Sequence, residues 1–237
     1  REFLVGSLAG PRPVVLHAVL GTWMEADVVG ACVANALAQG CGRVLLVDNA
    51  SPDDTVSAAE AAGAELARSF ATDAYDEALR MQHMASVVDE VSAAEAAAGV
   101  EQVWWLWLDA DEFTHGWGGL TIAECLAHLD ERFRVVGARY LNHLPDRRPA
   151  NLPGRHPIEF QPMCEEQRYP MCAQQHRKHP LMRWDAPGPE ITMGAGFHLA
   201  RCTEQLVEPD RAVLPHPFPF RPEDVTRARL DALGHGR

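Results

Sequence analysis

Gln102-Val-Trp-Trp-Leu-Trp-Leu-Asp109-Ala-Asp111-Glu-Phe113 is the stretch on which the fold turns. Residues 103–108 are an unbroken apolar and aromatic run, and the run stops at an acid. A short run without polar alternation predicts a strand buried on both faces. Working outward, the pattern recurs upstream. Val14 to Leu20 predicts one buried strand and Arg43 to Val47 a second, which ends at Asp48. Ala64 to Ser69 predicts another. Between them, Glu25 to Gln39 places Val28, Val29, Cys32, Val33, Ala36 and Leu37 at helical spacing, with Gly40 and Gly42 as the stop. Asp54 to Ala62 and Tyr75 to Ala97 predict two more helices, and Ser51 or Asp53 can cap the first of them.

Strand–helix alternation with short connections implies an α/β fold with a mostly parallel sheet covered on both faces. Ligands of such sheets sit outside the carboxyl ends of the strands. Asp48 and Asp109 both fall at such ends.

The second half differs. Thr121 to Glu131 predicts a helix and Arg134 to Asn142 a strand. Leu144 to Pro189 is rich in Pro, Arg, His and Gln, sustains no period, and is expected to be a long functional loop. Arg183 to His198 holds short strand-like pieces, and Pro222 to Leu233 predicts a closing helix.

The 237 residues carry 21 basic and 33 acidic side chains, for a net charge of −12. That balance excludes broad binding to nucleic acid or anionic membranes. It does not exclude a phosphate ligand, because one divalent cation inverts the local charge. No apolar run is long enough for a transmembrane helix. Arg1 to Gly10 lacks the build of a secretion signal, so a cytoplasmic protein with free thiols is expected. The chain opens without Met, which leaves an upstream segment open. None of the six cysteines forms a C-x-x-C pair; Cys164 and Cys172 are near enough for a loop disulfide or a metal site.

Asp109 and Asp111, two residues apart past a buried strand, can face one hard cation such as Mg²⁺ or Mn²⁺. Such an ion suits a leaving diphosphate, whose charge grows as its bond breaks. The plain alternative is a solvated acidic turn. For Asp48 it is a turn aspartate bonded to its own backbone.

Three ordered pieces sharpen this reading: Trp23-Met-Glu-Ala-Asp27, Val47-Asp-Asn-Ala-Ser-Pro-Asp-Asp-Thr55 and Leu106-Trp-Leu-Asp-Ala-Asp-Glu-Phe113. With them, Val14 to Phe113 resembles glycosyltransferase family 2 with the GT-A fold. Met24 stands where that family usually has Asn. The resemblance implies a nucleotide-sugar-binding half, 1–118, and a smaller acceptor-binding half, 119–237. It implies a nucleoside-diphosphate sugar donor, UDP-linked by preference, a carbohydrate or small-molecule acceptor, and Mn²⁺ or Mg²⁺ as cofactor. Carried over by position, Asp48 contacts base and ribose, and Glu25 lies near the nucleotide. Leu20 to Trp23, with Thr22, walls the base pocket. Asp109 and Ala110 meet the donor, and Asp111 is the main metal ligand, with Asp109 able to share the ion. A late histidine completes the metal site, His198 first and His216 second. Glu190 or Asp185 is the expected base, with Glu165 and Glu166 as alternatives. Arg177, Lys178 and Arg183 are candidates for the phosphates. Trp117 and Trp184 are candidate sugar platforms, whereas Trp104 to Trp107 belong to the core. A nucleotidyltransferase, a non-catalytic nucleotide-sugar-binding module and a hydrolase are the rival readings. The first is disfavoured by Leu20-Gly-Thr-Trp-Met-Glu25, which has one Gly and no base.

Overall fold

The computed structural model describes residues 12–73, 75–144, 155–166, 178–186 and 191–232. The first half is β1 (Val15–Thr22), α1 (Val29–Ala38), β2 (Arg43–Asp48), α2 (Thr55–Ala61), β3 (Glu65–Ser69), α3 (Glu77–Ala97), β4 (Gln102–Asp109) and β5 (Glu112–His115). The second half is α4 (Ile122–Ala127), β6 (Val135–Val136), β7 (Leu141–Leu144), β8 (Met163–Glu166), β9 (Leu181–Asp185), β10 (Thr192–Met193), β11 (Ala200–Arg201), β12 (Leu214–Pro217) and α5 (Glu223–Ala232). Short 3₁₀ turns cover Pro157–Glu159 and Ala195–Phe197.

The protein is α/β, with a central six-stranded sheet in the order β3-β2-β1-β4-β9-β6. The first four strands are parallel and β9 runs against β4. Helices flank both faces, as the alternation predicts. Alternate side chains of the central strands divide between two cores. Leu16, Ala18, Leu20, Trp104, Leu106 and Leu108 join one with α1. Val19, Trp105 and Trp107 join the other with Met84 and Val88 of α3. Trp105 Nε1 donates to Ser92 Oγ at 2.8 Å, which satisfies its buried N–H. The tryptophan run is therefore core.

The second half departs from expectation. α4 ends at Ala127, after a capping box between Thr121 and Glu124. The strand expected over 134–142 is two short ones, β6 and β7. β9 begins inside the stretch expected to be loop and runs into the one, from Arg183, expected to hold short strand-like pieces. Its five residues carry an Arg and an Asp, and an antiparallel partner, β4, makes it a strand. β5 pairs with β12, and β7 with β8. No described helix is long and apolar enough to cross a membrane.

Candidate active site

A cavity of about 360 Å³ opens at the carboxyl ends of β1 and β4. That volume is within the range of small-molecule sites. Thr22, Trp23 and Glu25 reach it from the β1–α1 turn, Asn49 from the end of β2, and Tyr75, Asp76, Glu77 and Arg80 from the start of α3. Asp109, Ala110 and Asp111 reach it from the end of β4; Lys178, His198 and Arg229 come from the second half. The parallel topology delivers most of these, because each helix begins where its strand ends.

The two aspartates have opposite environments. Asp109 is paired at both oxygens: Arg80 donates to Oδ1 at 2.9 Å and Lys178 to Oδ2 at 2.9 Å. Burial by itself would raise its pKa; the two cations overcome that and hold it near 2. Lys178 also donates to Glu112 Oε1 at 2.6 Å. Burial first, then Asp109, push the Glu112 carboxyl up against that pull. Among the described residues, no hydrogen bond or ion pair engages the Asp111 carboxylate. Burial, then Asp109, raise its pKa. Its backbone is fixed, since Phe218 N–H donates to Asp111 O at 2.9 Å. From α1, Asn35 Nδ2 holds Thr114 O at 3.0 Å and steadies the segment that follows the acids.

Across the cavity, Glu25 accepts from Arg221 at 2.6 Å and pairs with Arg229 at 2.9 Å. Burial outweighs both cations, Asp111 adds repulsion, and the Glu25 pKa rises to about 7. Arg221 also grips Asp27. At the end of β1, a Cβ on Gly21 would meet Arg80 Nη1 and Met84 Sδ at 2.9 Å, so any side chain there displaces those two side-chain ends.

Asp48 is brought next to the cavity but does not line it. It is 2% exposed. Its oxygens accept from Thr22 Oγ1 at 3.0 Å, Ser51 Oγ at 2.6 Å and Ser51 N–H at 2.8 Å. Ser51 Oγ in turn accepts Met24 N–H at 3.0 Å. Asp48 thus knits the first two loops together, the turn role given above as its alternative. Asn49, the next residue, supplies the cavity wall. Met24 has φ +54°, a left-handed conformation that Asn tolerates better than Met.

Other expected residues fall elsewhere. Leu20 is fully buried in the core. Asp185 is not brought to the cavity. It lies opposite Gln102, seven residues back along β4 from Asp109, about 23 Å at strand rise. There it pairs with Arg134 and Arg183 at 2.8 and 2.7 Å. Position in the sequence gave no hint of this, because β9 runs antiparallel and carries residue 185 away from the site. The same reversal removes Arg183 and Trp184. His216 is not at the cavity either: it sits on β12 against Phe113 and bonds His143. Trp117 packs against the core. Glu166 pairs with Arg139 on β8. Glu190, Arg177 and Cys172 lie outside the described residues.

Arg80, Glu77, Tyr75 and Arg229 were not anticipated. Arg80 left one signal. A cation in the first turns of a helix opposes the macrodipole, so something else must hold it there. Arg229 left none, since the fold brings it from the far end of the chain.

Among the described residues, no three His, Cys, Asp or Glu side chains group to hold a metal by themselves. The donor set still fits a hard divalent ion. Mg²⁺-type sites use one or two carboxylates and take their other ligands from phosphate and water. Asp111 is a carboxylate in need of a counter-charge, and His198 lines the same cavity. Carboxylates of the lining outnumber its Arg and Lys side chains five to three. A bound diphosphate therefore needs added positive charge.

No known protein family's profile matches the chain. No curated protein matches it. Solved structures do. Mannosyl-3-phosphoglycerate synthase from Rubrobacter xylanophilus is 22% identical, with TM-score 0.37, over 54% of this chain and 40% of that one. Glucosyl-3-phosphoglycerate synthase from Mycobacterium tuberculosis, solved with Mn²⁺, UDP and glucosyl-3-phosphoglycerate, is 15% identical, with TM-score 0.35, over 54% and 44%. A mycobacterial protein is 16% identical, with TM-score 0.36, over 54% and 42%. The chain spans about two fifths of the length of these proteins.

Proposed function

We propose that the protein is a glycosyltransferase that uses a nucleoside-diphosphate sugar, with UDP-sugars favoured. The observation that carries the reading is the Asp111 carboxylate, which faces a strand-end cavity with no hydrogen bond or ion pair among the described residues. Three ordered motifs resembling glycosyltransferase family 2 support it, and the cavity brings parts of all three together: Trp23 and Glu25, Asn49, and Asp109 to Asp111. Asp111, with His198, would hold Mn²⁺ or Mg²⁺. That ion would supply Lewis-acid stabilisation of the departing diphosphate.

The chain's own residues do the rest. Trp23, Thr22 and Asn49 form the wall for base and ribose. Asp48 orients Thr22 and the Ser51 turn without touching the ligand. Lys178 and Arg80 neutralise Asp109, which makes it a fixed acceptor for a sugar or ribose hydroxyl. Residues 119–237 would contribute the acceptor side, with a carbohydrate or small molecule as acceptor.

Incubation with UDP-, GDP- and TDP-sugars and Mn²⁺ tests the reading. Release of nucleoside diphosphate that depends on Asp111 and on the ion is the expected result. Release of pyrophosphate from a nucleoside triphosphate and a sugar phosphate would replace this reading with nucleotidyl transfer.

A further inference from the structure

The three Arg and Lys side chains of the cavity are unequally committed. Arg80 bridges Glu77 and Asp109. Lys178 bridges Asp109 and Glu112. Among the described residues, Arg229 pairs with one carboxylate, Glu25, which is also held by Arg221 at 2.6 Å. Drawing Arg80 or Lys178 away would leave a buried acid short of its counter-charge, at high cost. Drawing Arg229 away leaves Glu25 still paired.

The support of Arg229 is equally loose. It stands on α5, no residue of which is buried. The start of this arm is anchored by Arg221, whose side chain is 4% exposed and gripped by Asp27 and Glu25. Beyond that anchor, Arg229 leans over the Trp23 ring, 6.0 Å from its centroid, and lines the cavity. A guanidinium so placed can redirect toward a phosphate with little disturbance to the core. Its planar fork matches phosphate oxygens.

Resting on the donor-site reading, we propose that Arg229 is a phosphate-binding residue. Its guanidinium exchanges Glu25 for the terminal phosphate of the bound nucleoside diphosphate. α5 then becomes a strap across the donor, fastened at one end by protein and at the other by ligand. The exchange is one of ion pairs and alters no covalent bond.

Calorimetric titration of the whole chain with UDP and GDP, and with UMP and GMP, each with Mn²⁺, tests this in the unaltered protein and in Arg229→Gln. The diphosphate affinity of Arg229→Gln should fall about tenfold, with the monophosphate affinity little changed. Arg229→Lys should recover part of the loss. Equal weakening of both nucleotide classes, or no weakening, overturns the assignment to phosphate. Failure of the unaltered protein to bind any of the four removes the donor-site reading, and this inference with it. The melting temperature of Arg229→Gln should match the parent, as an exposed helix requires.

Discussion

Within seven residues the chain passes between two regions that bury titratable groups by opposite means. At Asp109 the acid keeps its charge because Lys178 and Arg80 reach it, while burial and Asp109 push up the Glu112 carboxyl beside the same lysine. A few residues on, His115 joins His143, His156 and His216 around Phe113 and Phe218, in a seam among β5, β12, β7 and the turn before Pro157. Here burial lowers the pKa of His115, His156 and His216. The Gln161 carbonyl accepts from His143 Nδ1 at 2.6 Å, which leaves Nε2 to accept from His216 Nδ1 at 2.9 Å. Burial, then His115 and the other histidines, lower the His216 pKa to about 4. The lesson is that burial alone does not decide ionisation. Partners do: cations sustain charge at the cavity, and further imidazoles suppress it at the seam. Asp111 lies between: Arg221, Lys178 and Arg229 pull its pKa down, but burial and Asp109 outweigh them and raise it.

The largest way to break the contrast is Lys178→Met. It strips the counter-charge from Glu112 and half of that from Asp109. Chemical denaturation should show about 3–5 kcal/mol of lost stability at pH 7. Asp111→Asn should do the reverse: turnover with a nucleotide sugar falls at least about 100-fold, roughly 3 kcal/mol of barrier. The melting temperature should hold or rise, since an acid with a raised pKa opposes folding when ionised. A melting temperature well below the parent's would show that Asp111 is structural.

Gly196→Ala tests the His198 side of the cavity. Gly196 has φ +56°, and a Cβ there would lie 3.0 Å from the His198 ring. The variant should lose about 1–2 kcal/mol and bind Mn²⁺ several-fold more weakly. Unchanged Mn²⁺ affinity, read by manganese resonance titration, would separate His198 from the metal. The smallest effect is at the seam. A histidine with a depressed folded pKa contributes stability above its unfolded value near 6.5, and that stability is lost as pH falls toward 4. For His216, discounted for partial exposure, the loss between pH 7 and 5 is about 1 kcal/mol. His216→Gln should flatten that part of the melting profile. Were the acid limb unchanged, the seam would not be the element that senses the protons.

The parallel half of the sheet was legible because each strand is a continuous apolar run closed by a turn. Residues 15–22, 43–48 and 102–109 carry their own two-sided burial in their composition. Strand ends then place Asp48, Asp109 and Asp111 at one edge by topology. The amino acids also announced that Trp104 to Trp107 belong to the core, and the closing helix. Only tertiary structure decided how each carboxylate is used. Asp48 turned inward to bind two loops, Asp109 acquired Arg80 and Lys178, and Asp111 was left facing the cavity. It likewise decided that β9 runs backward and removes Asp185, and that Arg229 returns from the far end of the chain. The physical reason is range. Burial periodicity is written in neighbouring residues, whereas the charge state of an acid depends on partners that this sequence sets 29 and 69 positions away from Asp109.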